Sequence, residues 1–86
     1  MNEELLITVA YVEISSYREK AMKAIGKETK MPKQIAKESG ILPNHISKVL
    51  KELKDKDLAV CINEEMRKGR LYRLTDKGLA VLGELT

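Results

Sequence analysis

Residues 31–57 predict two short helices joined by a tight turn, and this pair constrains the fold of the whole chain. The second helix would begin at Pro43, because proline already has the φ angle that a first helical position needs. Four aliphatic residues then recur at the spacing of one helical face: Ile46, Val49, Leu50 and Leu53. The first helix would run from Pro32 to about Ser39, and Gly40 follows where a left-handed residue can end it. The pattern therefore predicts a helix-turn-helix.

The outer face of the second helix is polar and mostly basic. It carries Asn44, Ser47, Lys48, Lys51 and Lys54. Residues 15–62 as a whole contain eleven Lys and Arg against six Asp and Glu, whereas residues 1–14 contain three glutamates and no Lys or Arg. Such a distribution favours nucleic acid or an anionic surface as partner, the alternative being that the lysines only keep the surface soluble.

With 86 residues, the chain is expected to form one domain, residues 1–86, around one small core. Leu, Ile and Val must fill that core, because the sequence has no Phe or Trp and three Tyr. Cys61 is the single cysteine, so an internal disulfide is excluded, and it is expected to be a small core residue. No membrane-length apolar run or basic leader is present, which predicts a cytoplasmic protein without membrane association.

Residues 5–14 fit two patterns. An alternation typical of a strand includes Leu5, Ile7, Val9 and Tyr11. Leu5, Val9 and Val12 also share a helical face, and we favour the helix. A segment this apolar must be covered by the domain or by a second chain. Residues 1–14 are therefore a possible dimerisation segment.

The next helix is expected from Tyr17 to about Ile25. Ser15 and Ser16 supply its N-cap, with Glu19 completing a capping box on Ser16. Its inward stripe would be Tyr17, Ala21, Ala24 and Ile25.

A β-hairpin and a closing helix are expected after residue 57. The first strand, residues 58–62, would place Leu58, Val60 and Ile62 on one side, and residues 70–74 would pair with it across a polar loop. Thr75 would cap a last helix from Asp76 to about Leu85. Its inward residues would be Leu79, Leu82 and Leu85.

Three segments resemble the MarR/ArsR-like transcription regulators, particularly the small archaeal ones. They are SSYREKAMKAIG, MPKQIAKESGILPNHISKVLKELKDKDLAV and KGRLYRLTDKG, and together they span about residues 15–78. The resemblance implies a winged helix-turn-helix fold, mainly α with a small β-hairpin. It also implies that a recognition helix at about residues 43–56 enters the major groove of DNA, while a wing at residues 63–70 reaches the backbone or minor groove.

The residues suggest how DNA would be contacted. Asn44 and His45 occupy the first turn of the recognition helix, and asparagine can pair with adenine through two hydrogen bonds. Phosphate contacts would come from Ser47, Lys48, Lys51 and, before the first helix of the pair, Lys30 and Lys33. Wing contacts would come from Arg67, Lys68 and Arg70.

Each contact has an alternative. Asn44 would be only a helix-start residue, His45 would pack against Leu42 and Val49, and the lysines would be a solvated surface. Glu64 and Glu65 would oppose the approach of phosphate unless they point away from it.

No enzymatic or metal chemistry is indicated. The sequence has no Gly-rich phosphate loop, nucleophile elbow or triad-like set, and no cofactor is expected. One Cys and one His cannot supply the ligands of a transition-metal site. Two functions remain: a homodimeric, sequence-specific regulator of transcription that binds double-stranded DNA, or a winged helix used for protein interaction in a transcription or replication assembly.

Overall fold

Five helices and a two-stranded antiparallel hairpin make up the computed structural model, which describes residues 2–85. In chain order the elements are α1 (Glu3–Glu13), α2 (Ser16–Ile25), α3 (Pro32–Ser39), α4 (Pro43–Asp55), β1 (Ala59–Cys61), β2 (Tyr72–Leu74) and α5 (Asp76–Glu84). The expected fold class, mainly α with a small hairpin, is confirmed. The two ends of the predicted domain, Met1 and Thr86, lie outside the described residues.

The N-terminal segment is helical, as favoured from the sequence. The Asn2 side chain caps α1 by accepting a hydrogen bond of 2.7 Å from the backbone N–H of Leu5. Thr8, Val9 and Val12 are buried against the rest of the fold. Leu6 and Ile7, on another face, remain 53% and 64% exposed.

The start of α2 differs from the expected capping box. Ser15 alone is the N-cap, and its Oγ accepts from the N–H of Arg18 at 3.3 Å. Ser16 is already helical, so Glu19 is too far along to close a box and instead pairs with Lys23 at 3.1 Å. Tyr17 was wrongly placed on the inward stripe, since it is 41% exposed, and Met22 is buried in its place.

The helix-turn-helix agrees with the prediction in detail. Gly40 has φ 77° and ends α3 in the left-handed region. All four predicted aliphatic residues of α4 are buried: Ile46, Val49, Leu50 and Leu53. Neither α3 nor α4 has a side-chain N-cap, and each begins instead with proline.

The hairpin pairs Ala59 with Leu74 and Cys61 with Tyr72, and these four side chains form its buried face. The predicted face of Leu58, Val60 and Ile62 was therefore wrong, although Leu58 itself is fully buried. The cause lies at the end of α4, where Asp57 adopts φ 58° and the N–H of Leu58 bonds back to the carbonyl of Leu53 at 2.8 Å. Leu58 thus belongs to the helix exit, and strand alternation starts one residue later. Cys61 is a core residue, as expected.

Residue 30 forms an isolated antiparallel bridge with β2. Its backbone N–H donates to the carbonyl of Tyr72 at 2.9 Å, and the N–H of Tyr72 donates back at 2.8 Å. This bridge fixes the start of α3 beside β2.

Thr75 caps α5 as predicted, with its Oγ1 accepting from the N–H of Gly78 at 3.0 Å. The buried residues of α5 are Gly78 and Val81, whereas the three leucines expected inward are only partly buried. Gly78 decides this orientation, because its missing side chain lets the helix lie directly against the carbonyl of Leu58. Among residues 2–85, no helix is long and apolar enough to cross a membrane.

Candidate nucleic-acid interface

An open cleft of about 730 Å³ lies between the start of α3, the outer face of α4 and the wing, residues 63–70. The bridge between residues 30 and 72 holds the start of α3 beside the hairpin that carries the wing. The residues that line the cleft are Met31, Pro32, Lys33, Ser47, Leu50, Lys51, Lys54, Arg67, Lys68, Gly69, Arg70 and Tyr72.

Six of the ten predicted DNA contacts line this cleft. They are Lys33, Ser47, Lys51, Arg67, Lys68 and Arg70. Asn44, His45 and Lys48 lie outside it, exposed on α4. Lys54 was not predicted as a contact, although its spacing from Ser47 and Lys51 is that of one helical face.

The cleft is basic. Six cationic side chains line it, and none of its described lining residues is acidic: the cations are Lys33, Lys51, Lys54, Arg67, Lys68 and Arg70. Lys51 has an acidic neighbour at 3.7 Å, Asp55, but both side chains are mostly exposed, so this pair is weak. Positive charge gathered in a concave surface attracts polyanions more strongly than the same charge spread out.

Asn63 organises the wing and was missed by the sequence analysis. Its Oδ1 accepts from the N–H of Leu71 at 2.7 Å, and its Nδ2 donates to the carbonyl of Gly69 at 3.1 Å. Gly69 has φ 71°, a value that glycine adopts without strain. Asn63 directly follows the predicted strand, residues 58–62, and asparagine is a common turn residue there, so that was the available signal.

Arg70 is engaged within the wing. Its Nε donates to the carbonyl of Met66 at 2.7 Å, and its Nη2 donates to the carbonyl of Glu64 at 3.2 Å. The guanidinium therefore closes the loop from its C-terminal side. Arg67 and Lys68 are exposed.

Glu64 forms an ion pair with Lys54 across the cleft wall. The hydrogen bond from Lys54 lowers the pKa of the Glu64 carboxyl below its usual value, and the same bond raises the pKa of Lys54. The Glu64 carboxylate thus points at α4 and neutralises one cation there. Glu65 is exposed.

Lys30 is not available to phosphate, and its predicted role was wrong. It is only 8% exposed and donates to the Ala24 carbonyl while forming ion pairs with Glu38 and, at 3.4 Å, Glu28. The hydrogen bond from Lys30 lowers the pKa of Glu38, and the pKa of Lys30 is raised by the same contact despite the opposing effect of burial. This cluster fixes the segment between α2 and α3.

His45 contacts a residue that the sequence analysis placed in the core. Its ring lies 5.7 Å from that of Tyr17, centroid to centroid, at an angle of 40°. Both side chains are exposed, that of His45 on α4 and that of Tyr17 on α2. Within residues 2–85, no three His, Cys, Asp or Glu side chains are grouped as metal ligands would be.

Comparison with known proteins gives matches among solved structures only. No protein-family model matches the sequence, and no curated protein matches it significantly. The double mutant of ZitR from Lactococcus lactis superposes with a TM-score of 0.70 at 24% sequence identity, covering 81% of this chain and 49% of that chain. The apo form of the same mutant gives a TM-score of 0.71 at 22% identity, covering 92% and 61%. This chain therefore spans roughly half to three fifths of the ZitR chains it matches, and it has their winged helix-turn-helix fold.

Proposed function

We propose that this protein is a regulator of transcription that binds double-stranded DNA through the basic cleft and the exposed face of α4. One observation carries the proposal: cations from three separate elements, the start of α3, α4 and the wing, converge on a single open cleft. A convergent cluster of this kind matches the phosphates on both sides of a groove. The fold shared with ZitR, a transcription regulator, agrees with it.

In this proposal α4 enters the major groove and the wing contacts the backbone or minor groove. Asn44 and His45 are exposed in the first turn of α4, where base edges come closest in helix-turn-helix complexes. Phosphate contacts are assigned to Lys33, Ser47, Lys48 and Lys51, and wing contacts to Arg67 and Lys68. The assignment to the small archaeal MarR/ArsR-like type and to the cytoplasm belongs to the same proposal.

We further propose that the protein acts as a homodimer through α1. Leu6 and Ile7 in α1 and its C-cap Ile14 are 53%, 64% and 79% exposed, which are high fractions for large aliphatic side chains so close together. Two modules related by a twofold axis would read half-sites about 34 Å apart and gain affinity and specificity together.

The test is a titration of fluorescently labelled duplex DNA with the protein at several salt concentrations. Phosphate contacts give a negative slope of log affinity against log salt, about 0.9 per neutralised phosphate. Lys51→Ala, in the cleft, should weaken binding and reduce the slope by about 1. Lys27→Ala removes the same charge from an exposed residue outside the cleft and should change both much less.

Failure of the wild-type protein to bind any duplex at low salt would overturn the DNA-binding proposal. The basic cleft would then be incidental, and the fold would be read as a protein-interaction module.

A further inference from the structure

The wing is held by hydrogen bonds between its backbone and two side chains, those of Asn63 and Arg70. Asn63 bonds to both sides of the loop, at Gly69 and Leu71, and Arg70 bonds to the carbonyls of Met66 and Glu64. Together they connect the beginning, middle and end of a segment that has no backbone strand pairing beyond the contact of Ile62 with Leu71. Without these side chains, one backbone bond, from Met66 to Asn63 at 3.0 Å, would remain inside the loop.

The two exposed wing cations depend on this arrangement. Arg67 and Lys68 lie between Met66, which accepts from Arg70, and Gly69, which accepts from Asn63. Their backbone positions are therefore fixed on both sides by these bonds. Long cationic side chains on an ordered backbone lose less conformational freedom on binding an anion than those on a mobile loop.

We propose that Arg70 and Asn63 are positioning residues, which hold the wing so that Arg67 and Lys68 meet the DNA backbone, and that Arg70 itself is not a phosphate contact. This rests on the DNA-binding function proposed above. Of the three basic wing residues, Arg67 and Lys68 then bind DNA and Arg70 supports the loop.

Charge-preserving variants test the proposal. Arg70→Lys keeps the positive charge but loses the planar fork that bridges two carbonyls, and Asn63→Ala removes no charge at all. Both should weaken duplex binding by about tenfold and reduce the salt slope, because Arg67 and Lys68 would no longer be held in place. Arg73→Lys makes the same exchange at an exposed arginine of β2 outside the cleft, so it should bind like wild type.

Hydrogen exchange in the free protein supplies a readout that is independent of DNA. In Arg70→Lys, loosening of the loop should speed exchange of the Leu71 amide, which is bonded to Asn63 and not to Arg70. In Asn63→Ala, exchange of the Met66 amide should be faster. Arg67→Ala should leave both amides unchanged while lowering the salt slope by about 1.

Exchange rates and DNA affinities together support or overturn the proposal. Normal exchange with lost DNA affinity in Arg70→Lys would show that Arg70 contacts DNA directly and would overturn the proposal. Faster exchange with unchanged affinity would overturn it as well, because the order of the wing would then not matter for binding. If wild-type protein binds no duplex, the DNA-binding function fails, and the exchange rates alone decide whether these two residues hold the wing.

Discussion

The Glu64 carboxylate is paired with Nζ of Lys54, so the acid at the base of the wing is turned toward α4, with its side chain still 57% exposed. This answers the concern that Glu64 would repel phosphate from the wing, since its charge is compensated by a cation of the cleft. The pair also makes Lys54 less available to phosphate. Glu64 therefore limits the positive charge that the cleft can offer.

Replacing this acid should strengthen DNA binding. In Glu64→Gln, Lys54 keeps its charge and loses its anionic partner, so we expect affinity to rise several-fold and the salt slope to steepen by up to about 1. Glu65→Gln is the matched control, because it removes an exposed glutamate one residue away. Equal gains from the two variants would show that only the overall charge matters and that the pair with Lys54 has no specific role.

Stability should depend on pH through Lys30 and Glu38. The pKa of Glu38 is lowered from 4.5, mainly by the hydrogen bond from Lys30, so this carboxylate stabilises the fold above about pH 4.5. That contribution is lost as the pH falls through the lowered pKa. The pKa of Lys30 is raised from 10.5, so its contribution is complete below that value and lost as the pH rises through the raised pKa.

Urea unfolding at pH 7 and at about pH 3 measures the acid side of this effect. Glu38→Gln should be less stable than wild type at pH 7, and the difference should shrink at the acidic pH. Glu28→Gln is the control, since Glu28 is 74% exposed in its pair with Lys30 and should matter less. A difference for Glu38→Gln that stays the same at both pH values would contradict the assignment.

Local sequence signals predicted the helix-turn-helix and the last helix cap. These signals are the aliphatic spacing of α4, Gly40 and Thr75. Each acts on residues only a few positions away, so its structural effect can be predicted from the sequence. The buried face of β1 could not be predicted in this way. The alternation of its side chains depends on Asp57 adopting φ 58°, and no neighbouring residue requires that angle. One residue of difference moved Val60 and Ile62 off the buried face.

The candidate site was predictable as a set of residue types and not as an arrangement. Lysines near the start of α3 look alike in sequence, yet Lys33 in α3 lines the cleft, and Lys30, which precedes the helix, is buried beside Glu28 and Glu38. The difference arises from partners brought together by packing of α2, α3 and β2. For the same reason Arg70 could be counted as a cation but its carbonyl partners could not be foreseen.

Gly78 should tolerate no side chain. A Cβ at this position would lie 2.0 Å from the carbonyl oxygen of Leu58, which is backbone and cannot rotate away. Gly78→Ala should therefore destabilise the fold by about 1–3 kcal/mol. Gly83→Ala, in the same helix with open space around it, should be neutral or stabilising by up to about 1 kcal/mol. Urea denaturation compares the two, and similar values for both would refute the close approach of α5 to Leu58.

Asn44 and Lys48 should affect DNA binding in different ways. Loss of a bidentate contact with a base costs about 1–3 kcal/mol for the preferred sequence and little for others, so Asn44→Ala should flatten sequence preference. Lys48→Ala should weaken binding to all sequences alike and reduce the salt slope by about 1. Sequences selected from random duplexes by wild type and each variant provide the measurement. An Asn44→Ala variant that selects the same sequences as wild type would make Asn44 a helix-start residue only.

The exposed face of α1 should control assembly. Ile7 is 64% exposed there, and in a homodimer it would be buried against the second copy. Ile7→Glu would then place an unpaired charge in an apolar interface and should convert dimers to monomers. Ile62→Glu is the control, since Ile62 is also an exposed isoleucine, at 48%, but follows β1 on the hairpin. Sedimentation at protein concentrations of roughly tens of micromolar should show a dimer for wild type and Ile62→Glu and a monomer for Ile7→Glu. Circular dichroism establishes that each variant is folded, and a monomeric wild-type protein at these concentrations would rule out the dimer.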